Sequence, residues 1–140
     1  MPEPKYSFWV LDSFALLAFF GDEPGGTQVR ELLTSAAAGE CDLLMSVVNL
    51  GEVMYIVERH RGLARAQKTL ARIDELPIEI VDTDRGSALA AAHIKAHHSL
   101  SYADCFAAAL AQSRGAALVT GDPEFREADI GKELPILWLG

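Results

Sequence analysis

The feature that most limits what this chain can become is an alternation. Five short runs of largely apolar residues, Tyr6 to Leu11, Asp42 to Met45, Ile78 to Val81, Ala117 to Thr120 and Ile136 to Leu139, are separated by turn residues and helix-forming stretches. The runs are apolar at nearly every position rather than at every second one, which marks strands covered on both faces. Between them, Phe14 to Phe20 reads as a helix, and Val29, Leu32, Leu33 and Ala36 recur at helical spacing until Gly39. A third helix carries Val53, Ile56 and Val57 and ends near Gly62, with Ser46 and Asn49 both able to cap it. Leu63 to Glu75, Asp84 to His98 and Tyr102 to Arg114 are further helices, the last capped by Ser101 and ended by Gly115. Gly121-Asp122-Pro123 turns into a short helix with proline at its first position. Such an order predicts an α/β fold: a three-layer α/β/α sandwich around a mainly parallel five-stranded sheet, one domain spanning residues 1–140.

Half the residues are hydrophobic and 23% are charged, enough to bury a core and too apolar for a disordered chain. Twenty acids against twelve bases leave a net charge of −8, which argues against a protein that coats nucleic acid non-specifically. Cys41 and Cys105 lie far apart without paired spacing, so they read as small buried residues in a reducing compartment. The apolar stretch Tyr6 to Phe20 is interrupted by Asp12 and lacks the small-residue cleavage site of a signal peptide. With no membrane-length apolar span either, the expected location is the cytoplasm, with no membrane partner.

Ligands of parallel sheets bind beyond the carboxyl ends of the strands. Asp12 and Asp122 stand there, while Glu52 and Asp104, each three residues after a capping candidate, fall in the first turn of a helix. Singly, each acid is explained as a cap or as part of a capping box. Together, in apolar surroundings, four carboxylates repel one another strongly unless a cation joins them. Oxygen ligands without His or Cys favour Mg²⁺ or Mn²⁺ over Zn²⁺.

Four stretches carry a resemblance: Val10-Leu11-Asp12-Ser13; Ser46-Val47-Val48-Asn49-Leu50-Gly51-Glu52-Val53; the run from Leu100 to Ala111 containing Ser101-Tyr102-Ala103-Asp104; and Val119-Thr120-Gly121-Asp122-Pro123-Glu124-Phe125. Over essentially its whole length the chain resembles the PIN-domain ribonucleases, most closely the VapC-like toxins of type II toxin–antitoxin modules. The resemblance implies a metal-dependent endoribonuclease in which Asp12, Glu52, Asp104 and Asp122 hold Mg²⁺ or Mn²⁺ for phosphodiester hydrolysis. Asp12 and Asp104 are then expected as direct ligands, and Glu52 and Asp122 as ligands or as anchors of the ion's waters. The hydroxyls of Ser13 and Thr120 are expected to support the site. It also implies a homodimer neutralised by a cognate antitoxin.

Five of the twelve basic residues fall between Arg59 and Arg72, a stretch with no acid. On one helix Arg61, Arg65, Lys68 and Arg72 would form a stripe opposite Leu63, Ala66, Leu70 and Ile73, a surface for RNA phosphate or for an acidic partner, or simply a solvated face. Other candidates are weaker. His93 and His97 are four apart but lack the Glu of an HExxH pattern, Ser101 with His98 and Asp104 lacks a nucleophile elbow, and Gly25-Gly26 is not a phosphate loop. A haloacid-dehalogenase-like phosphotransfer domain needs a second Asp two residues past Asp12, where Phe14 stands, and a receiver domain leaves Glu52 unexplained. A PIN-like domain used only for interaction should have lost at least one of the four acids.

Overall fold

The strand-forming runs pair through their backbones in the order β3-β2-β1-β4-β5, and every pairing is parallel. This computed structural model describes residues 7–140. Tyr6, expected at the start of the first strand, lies outside them. The strands are β1 (Phe8–Leu11), β2 (Asp42–Ser46), β3 (Ile78–Val81), β4 (Ala117–Thr120) and β5 (Ile136–Trp138). The helices are α1 (Ser13–Phe20), α2 (Gly26–Ala37), α3 (Val47–Arg61), α4 (Leu63–Glu75), α5 (Arg85–His97), α6 (Tyr102–Arg114) and α7 (Glu124–Glu127). A 3-10 turn over Ile130–Lys132, which no periodicity announces, precedes β5.

Side chains alternate along each strand and feed two cores. Val10, Leu44 and Leu118 point to one side, where they pack with Ala91 and Ile94 of α5, Phe106 and Ala108 of α6, and Phe125 of α7. Leu11, Leu43, Met45 and Val119 point to the other, against Leu16 of α1, Val29 and Leu33 of α2, Val53 of α3 and Ile73 of α4. The sheet is therefore sandwiched, with β1 at its centre. From β1 the chain builds outward through β2 to β3, then returns to place β4 on the opposite side of β1. That reversal opens a crevice at the carboxyl ends of β1 and β4, where Asp12 and Asp122 emerge.

Several local expectations are corrected by tertiary context. Ser46 is the cap of α3, its Oγ accepting the Val48 amide at 3.2 Å, and Asn49 is instead a fully buried helical residue whose Nδ2 donates to the Ala103 carbonyl at 3.2 Å. With α3 starting at Val47, Glu52 sits in its second turn and not its first. Gly62, at φ +88°, breaks the basic stretch, leaving Arg61 at the end of α3 and only Arg65, Lys68 and Arg72 on α4. The buried face of α4 is Ala66, Thr69 and Ile73, whereas Leu63 is 58% exposed and Leu70 lies at the surface. Pro123 precedes α7 as its cap rather than opening it. Cys105 is buried and Cys41 only half-buried, and both are free.

Candidate active site

Asp12 caps α1, its Oδ1 accepting the Ala15 amide at 2.9 Å. The residue is fully buried, and its Oδ2 has no hydrogen-bond partner. Burial raises its pKa to about 7, the Thr120 hydroxyl and the Ala15 amide offset part of that, and the charges of Asp122 and Glu52 add to it. Ser13 follows in the first turn of α1 and donates its hydroxyl to Glu52 Oε1, fastening the α3 carboxylate to α1.

Asp104 is placed by a different device. Ser101 caps α6 by accepting the Asp104 amide at 3.3 Å, which sets the Asp104 side chain in the first turn while leaving it no part in the cap. It is 3% exposed, and its Oδ2 also lacks a partner. Burial is the main cause holding its carboxyl well above the ordinary range, followed by the neighbouring Glu124 carboxyl. Asp122 is held by a turn after β4: its amide donates to Thr120 Oγ1 at 3.0 Å, and its Oδ1 accepts the Glu124 amide at 3.0 Å. Gly121 is required here because a Cβ would collide with the Phe14 ring, lying 2.9 Å from its Cζ.

Glu52, Asp104, Asp122 and Glu124 line one groove of about 250 Å³ with Ser13 and Ser101, and Phe14, Leu17 and Ile56 form its apolar wall. Asp12 does not reach the groove surface; it lies buried within electrostatic reach of Asp104, Asp122 and Glu52. Oxygens of Asp104, Asp122 and Glu124 lie within 4.8 Å of one another. Glu124 was missed as a site residue by sequence reasoning; its signal was a carboxylate two residues beyond Asp122. Unpaired buried carboxylate oxygens are costly, and a cation is the partner that satisfies several at once.

Arg61 and Arg65 line a second groove, of about 370 Å³, which shares Phe14, Leu17 and Ile56 with the first. Lys68 is exposed on α4, and Arg72 stands off the groove with its guanidinium 5.0 Å from the Phe20 ring centroid. His60 also lines this second groove, and the other histidines are elsewhere. His93 and His97 stack edge to face at 4.8 Å on the exposed side of α5, and His98 is engaged by the Ala128 carbonyl at 2.9 Å and the Glu133 carboxylate at 3.2 Å.

A parallel α/β/α domain with carboxylates gathered at the reversal of strand order is the class this geometry defines. The PIN-domain family model matches residues 9–131, and the chain belongs to that family. It is 30% identical over 128 residues to a ribonuclease VapC of Mycolicibacterium smegmatis, covering 86% of this chain and 96% of that protein. Among solved structures it resembles VapBC2 from Rickettsia felis bound to a DNA fragment from their promoter, with a TM-score of 0.72 at 18% identity over 95% of this chain and 99% of that one. It also resembles Mycobacterium tuberculosis VapC20, a toxin that cleaves the sarcin-ricin loop, with a TM-score of 0.67 at 17% identity over 87% and 95% of the two chains. Among the described residues, no helix is long and apolar enough to cross a membrane.

Proposed function

We propose that this chain is a divalent-metal-dependent endoribonuclease, the toxin of a type II toxin–antitoxin pair, acting on RNA in the cytoplasm. The observation that carries the reading is the pair of buried carboxylate oxygens without partners, Asp12 Oδ2 and Asp104 Oδ2, beside the further carboxylates of Glu52 and Asp122. A donor set of carboxylate oxygens fits Mg²⁺ or Mn²⁺, and neither His nor Cys lines the groove. Asp12 and Asp104 would be direct ligands, with Glu52 and Asp122 as ligands or as anchors of the ion's waters. When bound, such an ion supplies Lewis-acid polarisation of the phosphodiester and acidifies water.

The chain's own residues do the rest. Ser13 fixes the Glu52 carboxylate, Thr120 fixes the turn that carries Asp122, and Ser101 fixes the first turn of α6 under Asp104. Phe14, Leu17 and Ile56 keep water from one wall and join the acidic groove to the basic one, where Arg61 and Arg65 would hold phosphates flanking the cut, with Lys68 and Arg72 further along. The VapBC and toxin–antitoxin neighbours support an antitoxin partner, whose acidic residues would pair with the basic groove, and family membership supports a homodimer. An interaction-only role would leave the buried acids uncompensated, and no observation favours it.

The test is cleavage of an end-labelled RNA panel by the purified protein in EDTA, Mg²⁺ or Mn²⁺, beside a folded Asp104→Asn variant. Cleavage is expected only with the ion and only in the wild type. Undiminished cleavage in EDTA, or by the folded variant, refutes the reading.

A further inference from the structure

Asn49 is a side chain that the fold alone does not ask for. It is fully buried in α3, where asparagine is a poorer helix former than leucine, and its Oδ1 has no hydrogen-bond partner. Its orientation follows from chemistry: Nδ2 donates to the Ala103 carbonyl at 3.2 Å, and turning the amide over would set two carbonyl oxygens face to face. A leucine of similar shape would remove the stranded oxygen and improve the helix. It could not hold α6. Asn49 lies three residues, about 4.5 Å of helical rise, before Glu52, and Ala103 immediately precedes Asp104, so this bond joins α3 to α6 at the level of the two acids. The contacts that place each acid singly run elsewhere: Ser13 ties Glu52 to α1, and Ser101 orders the first turn of α6 under Asp104. Along the face of α6 that Ala103 begins, the next residues are Ala107 and Ala111, and such low ridges resist sliding only weakly.

We infer that Asn49 is a positioning residue of the candidate active site: through the Ala103 carbonyl it fixes α3 against α6 and so sets the separation of the Glu52 and Asp104 carboxylates across the groove they line. The inference rests on the metal-dependent reading above and adds to it a residue that touches neither ion nor RNA. A chain without the bond still folds, but its two acids then stand at a spacing chosen by apolar packing alone. Divalent-ion affinity and turnover depend on that spacing, because outer partners that orient ligands are felt in both. Capture of RNA phosphate by Arg61 and Arg65 in the neighbouring groove does not depend on it.

Asn49→Leu in the full chain tests this through three measurements: melting in EDTA, Mn²⁺ affinity by calorimetry, and cleavage at saturating Mn²⁺ of an RNA that the wild type cuts. Expected are a melting temperature no lower than the wild type's, since the stranded oxygen is gone, and Mn²⁺ binding weakened at least about tenfold. The kcat should fall at least about tenfold while KM for the RNA changes less than about twofold. Where leucine does not fit, Asn49→Ala removes the same donor and is read against Ile73→Val, which trims the core under α4 and lines neither groove. That control should lose stability and keep wild-type Mn²⁺ affinity. Wild-type Mn²⁺ affinity and kcat in the Asn49 variant, or a loss that Ile73→Val matches, overturns the positioning role; a wild type that still cleaves only with metal then leaves the functional reading standing. A wild type that binds no Mn²⁺ and cleaves RNA in EDTA removes both.

Discussion

Replacing Asp12 by Asn should make the metal-free protein more stable while destroying its response to metal. Asp12 has a folded-state pKa of about 7 against an ordinary 3.8, chiefly because burial disfavours its charge. The sign follows from proton binding. Below about pH 4 the carboxyl is neutral whether the chain is folded or not, and burial of the charge costs nothing. Between about pH 4 and 7 the unfolded chain gives up the proton while the folded one keeps it, so stability falls as pH rises. Above about pH 7 the full cost is present, and a shift of roughly three units corresponds to about 4 kcal/mol. That is a large share of the roughly 5–15 kcal/mol that separates most folded domains from their unfolded chains. Asp104 shifts in the same direction, but the two carboxyls interact, so their costs do not add.

An Asn side chain keeps the bond from the Ala15 amide, because it caps helices about as well as Asp. It also puts a donor where Oδ2 has no partner, with the acids Asp122 and Glu52 nearby. Thermal melts in EDTA from pH 5 to 8 should show the wild-type midpoint falling, by roughly 10 °C for a chain of this size, with a flatter curve for Asp12→Asn. Asp84, held below its usual pKa by the Ser87 amide and hydroxyl, acts with the opposite sign, but only at lower pH, so the window above pH 5 isolates the buried acids. Saturating Mn²⁺ should restore the wild type by about 2.7 kcal/mol at a hundredfold excess over Kd and leave the variant nearly unmoved. A wild-type midpoint that is flat across this range in EDTA, or a variant less stable than wild type at pH 8, would falsify the burial argument.

Reversing Arg65 and Lys68 to Glu should weaken RNA or antitoxin binding and flatten its salt dependence; unchanged binding of both across a salt series returns α4 to a solvated face. Gly121→Ala should push the Phe14 ring out of the wall shared by both grooves, lowering cleavage more than the melting point, and a silent variant would show that the ring's position is immaterial. Cleavage should leave 5′-phosphate and 3′-hydroxyl ends, because no histidine lines the acidic groove and both ring nitrogens of His98 are engaged elsewhere. Mass spectrometry that finds 2′,3′-cyclic phosphate ends instead rules out this chemistry and points to attack by the RNA's own 2′-hydroxyl.

Strand and helix order was legible because the strands are short apolar runs and the helices are bounded by capping and turn residues, some with a periodic face and others, such as α1 and α6, apolar nearly all round. What the sequence could not supply was anything decided between distant segments. Asn49 and Ser46 are equal as caps in one dimension; Asn49 is excluded because α3 already starts at Val47, leaving it inside the helix with its buried Nδ2 donating to the Ala103 carbonyl of α6. The basic stripe looked continuous because spacing ignores the turn at Gly62, and Leu63 and Leu70 looked buried because the pattern cannot tell which side of α4 meets the sheet. Glu124 went unassigned because its nearness to Asp104 depends on how a four-residue helix seats against α6.

Helix capping and ion binding make the same demand on sequence, an acid at the start of a helix, and oxygen-by-oxygen accounting separates them. Capping accounts for one oxygen of Asp12, taken by Ala15, and for one of Asp122, taken by Glu124. It accounts for no oxygen of Asp104, since Ser101 caps α6 in its place. The remainder is two buried oxygens facing no donor and a surplus of negative charge that no Lys or Arg of the acidic groove offsets. A chain selected for folding alone would replace Asp104 by Asn or Ala at little cost to the cap and some gain in stability. Its retention beside Asp12 is intelligible when the folded state includes the cation that both acids lack as a partner.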